Sequence, residues 1–500
     1  MRAITYLRLA CASLAVVAAG FTTADLRSVP ATSPAMENAD LADTMDRVLD
    51  DAMREYTIAG VVAGVIRDGE VVWSAREGVA TADGRPVTGD TSFNLGSISK
   101  PLTVWLVLDL AEAGLIDLDT PVSQYLTRFA LPAGSHDAGK VTVRRLLRHT
   151  AGTNLIGYGG YGAHEEQPAD VIELSTTFEP LGLVREPATT RSYSGGGYVL
   201  LQMMIEDITG GTLEAAAHAR LFAPMEMHNS GFAPELLPHR ADAFNYYRQP
   251  IESLRDVALT AAGGWASGDD IERFLLAHFD GGGVLGSESL AAAFAPTVPD
   301  PGYAMSYTRW QTPRGNLLGH GGNNSTWHGQ IYVRPETGDA FYFLTNATSG
   351  AQLDLDLSCA WLPLMESEAG VTRCASVLGT ARSVAWWSLG LGWLAIGSAW
   401  WLGGGMLTGR RALSLRPTGH GPIRLTGRLA GFALMLAMLV FSIWVSWTNS
   451  VIWRTETILI DEIPLDELEG LTLVVSGLLT VWTLCLWSNP VRSARQPSQG

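Results

Sequence analysis

The sequence predicts an α/β (α+β) fold in which an antiparallel sheet is flanked by helices and joined to an all-helical subdomain, followed by three transmembrane helices. Short β-branched or aromatic runs occur near both ends of region 37–366, and helical patterns dominate about 103–273. Three long apolar segments come after this region. A chain of 500 residues also exceeds the usual size of one hydrophobic core, so several folding units are expected.

The predicted strands fall into an early and a late group. An Asp68-Gly69 turn joins the first two strands into a hairpin. The predicted strands are 60–66 and 70–74, then 316–318, 329–333 and 340–345, and the predicted helices are 40–56, a helix after Ser97, 143–148 and 198–208. We therefore expect one sheet that takes strands from both ends of the domain.

The first 24 residues have the pattern of a secretory signal peptide. Arg2 and Arg8 precede an apolar run, Leu9–Val17, which small residues follow. A lipoprotein signal at Cys11 is disfavoured because Arg8 stands where that signal needs an aliphatic residue. The enzyme-like region is therefore expected to be exported.

Three apolar segments, each near the ~20 residues that cross a bilayer, predict an integral membrane region over 384–488, after a linker at 367–383. They are Val384–Leu407, Leu429–Trp447 and Leu471–Trp487. Arginines between the first two segments and in the tail 489–500 place those parts in the cytoplasm, whereas the connection between the last two is acidic. We expect a bacterial inner-membrane protein with region 37–366 on the extracytoplasmic (periplasmic) side.

Composition excludes some functions. The formal charge of −16, without a basic stripe, disfavours nucleic acid as a partner. No set of ligands has recognisable metal spacing, so no metal and no cofactor is expected.

Cys359 and Cys374 lie in the same exported region, where they either form a disulfide or remain unpaired, since spacing alone does not fix their separation.

Lysine usage points to a catalytic base. Only Lys100 and Lys140 are lysines among the 34 basic residues. Arginine keeps its proton at any usable pH, whereas a desolvated lysine can accept one. Lys100 is three residues after Ser97, so on a helix its amine would lie beside the serine hydroxyl as the activator of a nucleophile.

Two further motifs accompany the Ser97-Ile98-Ser99-Lys100 motif. Tyr193-Ser194-Gly195 precedes a predicted helix, and His320-Gly321-Gly322 opens a predicted edge strand. Serine, lysine and tyrosine can share protons during acyl transfer, and an edge strand can bind an extended acyl substrate through backbone hydrogen bonds. His149 is interpreted as a structural histidine beneath the site.

These motifs, in this order, resemble the serine β-lactamase-like family of class C β-lactamases, DD-peptidases and esterases (peptidase S12 type). The segments 93–96, 146–152 and 262–265 also look like that family, and the resemblance covers about 40–366. It implies a β-lactamase/transpeptidase-like fold and an acyl-enzyme on Ser97, with Lys100 and Tyr193 as general bases.

By the same resemblance the backbone amides of Ser97 and Asn323 would form an oxyanion hole, and His320, Gly322 and Gly195 would line the substrate site. Gly195 departs from the family motif, which often has asparagine there, and this departure disfavours β-lactam binding. Small molecules or peptides are the expected substrates.

Three functions remain open. The first is a hydrolase of amide, peptide or ester bonds, and its architecture also resembles periplasmic peptidases that remove acyl-D-amino-acid prodrug caps in nonribosomal peptide pathways. The second is a β-lactamase, or a β-lactam or peptidoglycan receptor that deacylates slowly. The third is an inactive binding module, which the retention of Ser97, Lys100 and Tyr193 disfavours.

Overall fold

The computed structural model describes residues 37–365 except 133, 135, 159 and 313, and also residues 408, 411–413 and 488–490. The chain divides into two compact units, one of which contains all of 37–365. In the other unit, the strands Arg411–Leu413 and Ser488–Pro490 pair antiparallel.

The predicted signal peptide and the three predicted membrane segments lie outside the described residues. Within the part of the chain that is described, no helix combines the length and the apolar character needed to cross a bilayer. The membrane topology therefore stays a prediction.

The main sheet takes its strands from both ends of the domain, which confirms the sequence prediction. In chain order the strands of this unit are β1 Gly60–Arg67, β2 Glu70–Gly78, β3 Ser92–Asn94, β4 Ala243–Phe244, β5 Pro250–Ile251, β6 Trp265–Ser267, β7 Thr308–Thr312, β8 Gly315–Asn324, β9 Trp327–Arg334 and β10 Asp339–Thr345. Six of them form an antiparallel sheet in the order β2-β1-β10-β9-β8-β7. Because β1 pairs with β10, with Gly64 opposite Tyr342, the early and late strands meet in the middle of the sheet.

The helices of this unit include each of the four that the sequence predicts, with slightly different ends. They are α1 Asn38–Glu55, α2 Ser99–Glu112, α3 Val143–Leu147, α4 Val171–Glu173, α5 Gly195–Thr209, α6 Leu213–Ala217, α7 Leu259–Ala262, α8 Gly268–Asp280, α9 Ser287–Phe294 and α10 Ala351–Met365. α5 ends at Gly210, whose φ of +67° is a conformation that glycine adopts without strain.

Helices cover both faces of the sheet, since neighbouring side chains of a strand point to opposite faces. On one face Phe341 of β10 stacks on Trp361 of α10, with 5.4 Å between ring centroids. On the other, the next residue, Tyr342, donates a 2.9 Å hydrogen bond to Glu272 of α8. The core of this unit thus continues from the sheet into the helical region.

α2 is the central helix of that core. Every residue from Ser99 to Leu108 on it is buried, and so is Leu110. A helix that is apolar on all sides needs neighbours all around it, and α5, α7 and α9 are among those that pack against α2. Ser97 lies in the turn before α2, and Lys100 lies in its first turn.

The second half of β8 has a free edge. β7 pairs with β8 only as far as Gly319, whereas β9 pairs along β8 to Asn324. Among the described residues, 320–324 therefore have a strand on one side only. This free half contains the His320-Gly321-Gly322 motif.

Candidate active site

The turn that carries Ser97 is held by its own backbone and by one side chain. Gly96 has φ +50°, in the left-handed region that favours glycine. Its N–H donates to Asn94 Oδ1 at 2.9 Å, and the Lys100 N–H donates to the Ser97 carbonyl at 3.0 Å. Ser97 is left partly exposed at the start of a buried helix.

The Lys100 amine lies beside the Ser97 hydroxyl, as the three-residue spacing predicts. Its Nζ is 3.1 Å from Ser97 Oγ, and the side chain is only 2% exposed. Burial removes water from the charged form and lowers the pKa of Lys100 to about 7. A substantial fraction of this amine is therefore neutral near neutral pH and can accept a proton.

A backbone carbonyl completes the surroundings of the lysine, and the sequence alone did not identify it. Lys100 Nζ donates to the Ala261 carbonyl of α7 at 2.7 Å. After α7, Gly264 lies so close to α2 that a Cβ there would be 2.8 Å from Ser99 Oγ. The only sequence signal near Ala261 was the segment 262–265, which resembles the family but did not by itself predict the contact with Lys100.

Tyr193 lies on the other side of the lysine. Lys100 Nζ is 4.6 Å from the centroid of the Tyr193 ring. The next residue, Ser194, caps α5 by accepting the Gly197 N–H at 3.1 Å, which fixes the position of Tyr193 just before that helix. The structure thus brings Ser97, Lys100 and Tyr193 together.

His149 lies beneath Tyr193, in agreement with the structural role expected from the sequence. The two rings are 4.4 Å apart. Its Nδ1 accepts the Ser194 N–H at 3.1 Å, and its carbonyl accepts the Ser192 N–H at 2.8 Å, so it holds the segment on both sides of Tyr193. Burial, reinforced by the nearby Lys100, lowers the pKa of His149 well below its usual value, so the ring stays neutral.

His320 faces the same site from the free half of β8. Its ring is 6.2 Å from that of Tyr193. Nδ1 lies 2.8 Å from the Gly321 carbonyl, which can only accept, so Nδ1 carries the proton and Nε2 has a free lone pair. Burial lowers the pKa of His320 to about 3, and nearby Lys100 adds to this effect. Nε2 is buried and has no hydrogen-bond partner among the described residues.

Glycines let the β8 backbone lie against the Ser97 turn. A Cβ on Gly96 would be 2.7 Å from the Asn323 nitrogen, and one on Gly322 would be 2.1 Å from the Leu95 carbonyl oxygen. The Ser97 N–H donates no hydrogen bond to any group among the described residues. The amides of Ser97 and Asn323 are therefore on neighbouring segments, as an oxyanion hole requires.

An aromatic ring lies beside Gly195. A Cβ there would be 3.1 Å from the Tyr158 ring, and the Gly195 N–H donates to the Ile156 carbonyl at 3.0 Å. A larger residue at this position would have to displace the loop around Tyr158. Gly195 therefore supplies close packing with this loop and no side-chain contact to a substrate.

The structure answers part of the question whether Cys359 and Cys374 form a disulfide. Cys359 on α10 is disulfide-bonded. Cys374 lies outside the described residues, so the pairing of these two cysteines stays a prediction. Within the described part of the chain, no three His, Cys, Asp or Glu side chains form a group that could hold a metal ion.

Comparison with known proteins shows which family and which proteins this chain resembles. The family model described as Beta-lactamase matches residues 45–358. The chain is 33% identical to "Esterase EstB" of Burkholderia gladioli over 215 residues, 41% of this chain and 55% of that protein. It is 27% identical to "Penicillin-binding protein 4" of Amycolatopsis lactamdurans over 340 residues, 61% of this chain and 86% of that one. It thus spans about half of EstB.

Among solved structures, the fold matches that of "EstCE1, a hydrolase with promiscuous acyltransferase activity", with a TM-score of 0.55 and 21% identity over 65% of this chain and 98% of that one. The fold and the cluster of Ser97, Lys100 and Tyr193 define the class, a β-lactamase-like domain with a serine nucleophile. This chain belongs to the beta-lactamase family.

Gly322→Ala should abolish most activity while leaving the protein folded. The new methyl group would overlap the Leu95 carbonyl, so β8 must move away from the Ser97 turn, and a displacement of about 1 Å costs about 100-fold in rate. The measurement is kcat for a p-nitrophenyl ester. The matched control is Gly321→Ala, whose methyl group meets only the mobile end of Gln330, and it should lose much less. Equal losses in the two variants would contradict this account.

Lys100→Arg should abolish acylation, because the guanidinium keeps its proton. In the wild type, Lys100 must be neutral, and its pKa of about 7 lies below the ordinary lysine value. The acylation rate should therefore rise with pH through about 7 and level off above it. Stopped-flow acylation across pH measures this midpoint, and circular dichroism checks the fold of the variant. Substantial acylation by Lys100→Arg would remove Lys100 from the mechanism.

Proposed function

We propose that this protein is a serine hydrolase that cleaves an amide, peptide or ester bond through an acyl-enzyme on Ser97. The observation that carries the proposal is the buried Lys100 amine, 3.1 Å from Ser97 Oγ, with its pKa lowered to about 7. Burial of a charged amine costs free energy. A buried lysine with a lowered pKa beside a serine hydroxyl therefore indicates a role in proton transfer.

Acylation follows from the positions of the three groups. Neutral Lys100 takes the Ser97 proton as Oγ attacks the substrate carbonyl carbon. The carbonyl oxygen becomes an oxyanion, which accepts hydrogen bonds from the Ser97 and Asn323 amides. Tyr193, whose ring centroid lies 4.6 Å from the amine, gives its hydroxyl proton to the leaving amine or alcohol as the bond to that group breaks, and it takes up the proton that Lys100 had accepted, so Lys100 is neutral again.

Deacylation uses the same groups in reverse. A water molecule replaces the leaving group, gives its proton to the Tyr193–Lys100 pair and attacks the acyl carbon. The acid departs and Ser97 regains its proton. His320 Nε2, a neutral acceptor at the same site, accepts a hydrogen bond from the leaving-group side of the substrate.

The substrate binds along the free half of β8. Residues 320–324 lack a second strand neighbour among the described residues, so an extended acyl group can pair with this edge. The likeness to an esterase supports ester substrates. Peptides, including those that contain D-amino acids, are proposed because a peptide backbone can pair with the same free edge. The absence of a side chain at Gly195 disfavours β-lactams.

A second candidate is a β-lactam-binding protein, or a peptidoglycan receptor, that deacylates slowly. Its support is the 27% identity to a penicillin-binding protein over 86% of that relative. The two functions share the acylation step and differ in the lifetime of the acyl-enzyme.

Intact-protein mass spectrometry after incubation with a fluorophosphonate should show one adduct, and Ser97→Ala should show none. Parallel incubations with p-nitrophenyl esters, acyl-D-amino-acid peptides and β-lactams then identify the acyl donor. Turnover of esters or peptides without a persistent adduct supports the hydrolase. A β-lactam adduct that lasts for hours supports the receptor, and no adduct with any reagent would overturn both.

The proposed location is the bacterial inner membrane, with the hydrolase region on the extracytoplasmic side. Its support is the signal-like N-terminus, the three apolar segments and the distribution of arginine and acidic residues around them. The membrane region anchors the enzyme where peptides and esters reach it from outside the cytoplasm.

Protease treatment of intact spheroplasts should cut the acidic connection near Asp461 and leave the arginine-rich connection between the first two segments uncut. Epitope tags placed in the two connections report the cuts on a blot. The control is lysed spheroplasts, in which both connections should be cut. Protection of the tag near Asp461 in intact spheroplasts would contradict the proposed topology.

A further inference from the structure

A carboxylate joins the two segments that carry the proposed oxyanion-hole amides. Asp256 follows β5 in the chain and lies between the side chains of Asn94 and Asn324. Asn94 Nδ2 donates to Asp256 Oδ2 at 3.2 Å. Asn324 Nδ2 lies 3.2 Å from Oδ1 and 3.1 Å from Oδ2 of the same carboxylate. One acceptor group thus receives hydrogen bonds from β3 and from the end of β8.

Each asparagine is connected to a segment that carries one of the two amides. Asn94 uses its other end, Oδ1, to accept the Gly96 N–H at 2.9 Å, and Ser97 follows Gly96. Asn324 is the residue after Asn323 and also lies within 3.2 Å of Asn94 Oδ1 through its Nδ2. The chain of contacts therefore runs from the Ser97 turn, through the carboxylate, to the Asn323 position.

The carboxylate also favours one orientation of both amide groups. An ionised carboxylate only accepts, so it draws the NH₂ ends of Asn94 and Asn324 towards itself. The carbonyl end of Asn94 is then left facing the Gly96 N–H, which needs an acceptor. The Gly96 N–H and the Asn324 NH₂ group both donate to Asn94 Oδ1 and favour the same orientation, so the carboxylate reinforces an arrangement that these two donors also require.

We propose that Asp256 is a positioning residue that sets the distance between the Ser97 and Asn323 amides through Asn94 and Asn324. It acts on the oxyanion hole and does not contact the reacting atoms. This inference rests on the acyl-enzyme mechanism proposed above. It adds to that mechanism a residue outside the three sequence motifs.

The predicted effect is on the transition state and not on substrate binding. Asp256→Asn keeps the size of the side chain but places a third NH₂ group among two donors. Because misplacing a catalytic group by about 1 Å costs about 100-fold, kcat should fall by about 10- to 100-fold while KM changes little. Burial raises the pKa of Asp256 to about 7, so assays are run at alkaline pH, where Lys100 and Asp256 are both deprotonated.

A thionoester substrate distinguishes this role from a purely structural one. Sulfur is a weaker acceptor than oxygen, so an intact oxyanion hole favours the oxoester. The ratio of kcat/KM for p-nitrophenyl acetate to that for its thionoacetate analogue should fall in Asp256→Asn. Asn324→Ala, which removes one of the two donors, should lower the same ratio, and the double variant should lose less than the sum of both effects.

Asp270→Asn is the matched control. Asp270 is also buried and accepts hydrogen bonds from the Asn229 N–H at 2.7 Å, the Ser230 hydroxyl at 2.8 Å and the Arg273 guanidinium at 3.0 Å, all on residues remote in sequence from the Ser97 and Asn323 segments. Its substitution should lower the melting temperature but leave the oxoester-to-thionoester ratio unchanged.

The outcomes separate this inference from the proposed function. If the wild type is acylated at Ser97 but Asp256→Asn and Asn324→Ala both keep the wild-type ratio, the positioning role is wrong and the acyl-enzyme mechanism stands. If Asp256→Asn does not fold, the ratio measured for Asn324→Ala decides in the same way. A wild type that no reagent acylates at Ser97 overturns both.

Discussion

The site depends on the burial of one amine. Lys100 lies on a helix that is buried on all sides, and its Nζ has only the Ser97 hydroxyl and the Ala261 carbonyl as hydrogen-bond partners among the described residues. A carboxylate there would keep the lysine charged, whereas burial alone lowers its pKa to about 7. The core that surrounds α2 therefore sets the proton affinity of the proposed catalytic base, and the packing of this helix is part of the proposed mechanism.

The same principle governs the histidines around the amine. Burial and the proximity of Lys100 lower the pKa values of both His149 and His320, so neither ring adds a second positive charge to the site. Their hydrogen bonds then fix their roles. His149 accepts a hydrogen bond from the backbone beside Tyr193, whereas His320 donates one to the carbonyl of Gly321 on its own strand and keeps a lone pair on Nε2.

Close backbone approach is the second requirement. The Ser97 turn comes early in the chain and β8 comes late. β3, which precedes the turn, pairs with β6 outside the six-stranded sheet, and the turn packs against β8. Gly96 and Gly322 have no side chain between these segments, and the side chains of Asn94, Asn324 and Asp256 connect them at one end. Glycines permit the approach, and the polar side chains hold it at one distance.

Local patterns in the sequence were sufficient for much of this protein. Alternation and turn residues located β1, β2, β9 and β10 within a few residues, whereas β7 was not predicted and β8 was predicted only over 316–318. The three-residue spacing of Ser97 and Lys100 placed the proposed nucleophile and base on one helical turn, because helix geometry is local. The rarity of lysine singled out Lys100. The family resemblance rested on the order of the motifs. The match of the beta-lactamase family model to residues 45–358 agrees with it.

Only the tertiary structure decided the contacts between segments far apart in the chain. No spacing rule links Lys100 to the Ala261 carbonyl, Tyr158 to Gly195, or Asp256 to Asn94 and Asn324, because each pair meets through the packing of separate elements. The lowered pKa of Lys100 is also a tertiary property, since it requires complete burial by helices that the sequence pattern shows only one at a time. The sequence determined which groups take part, and the fold determined their distances and their charge.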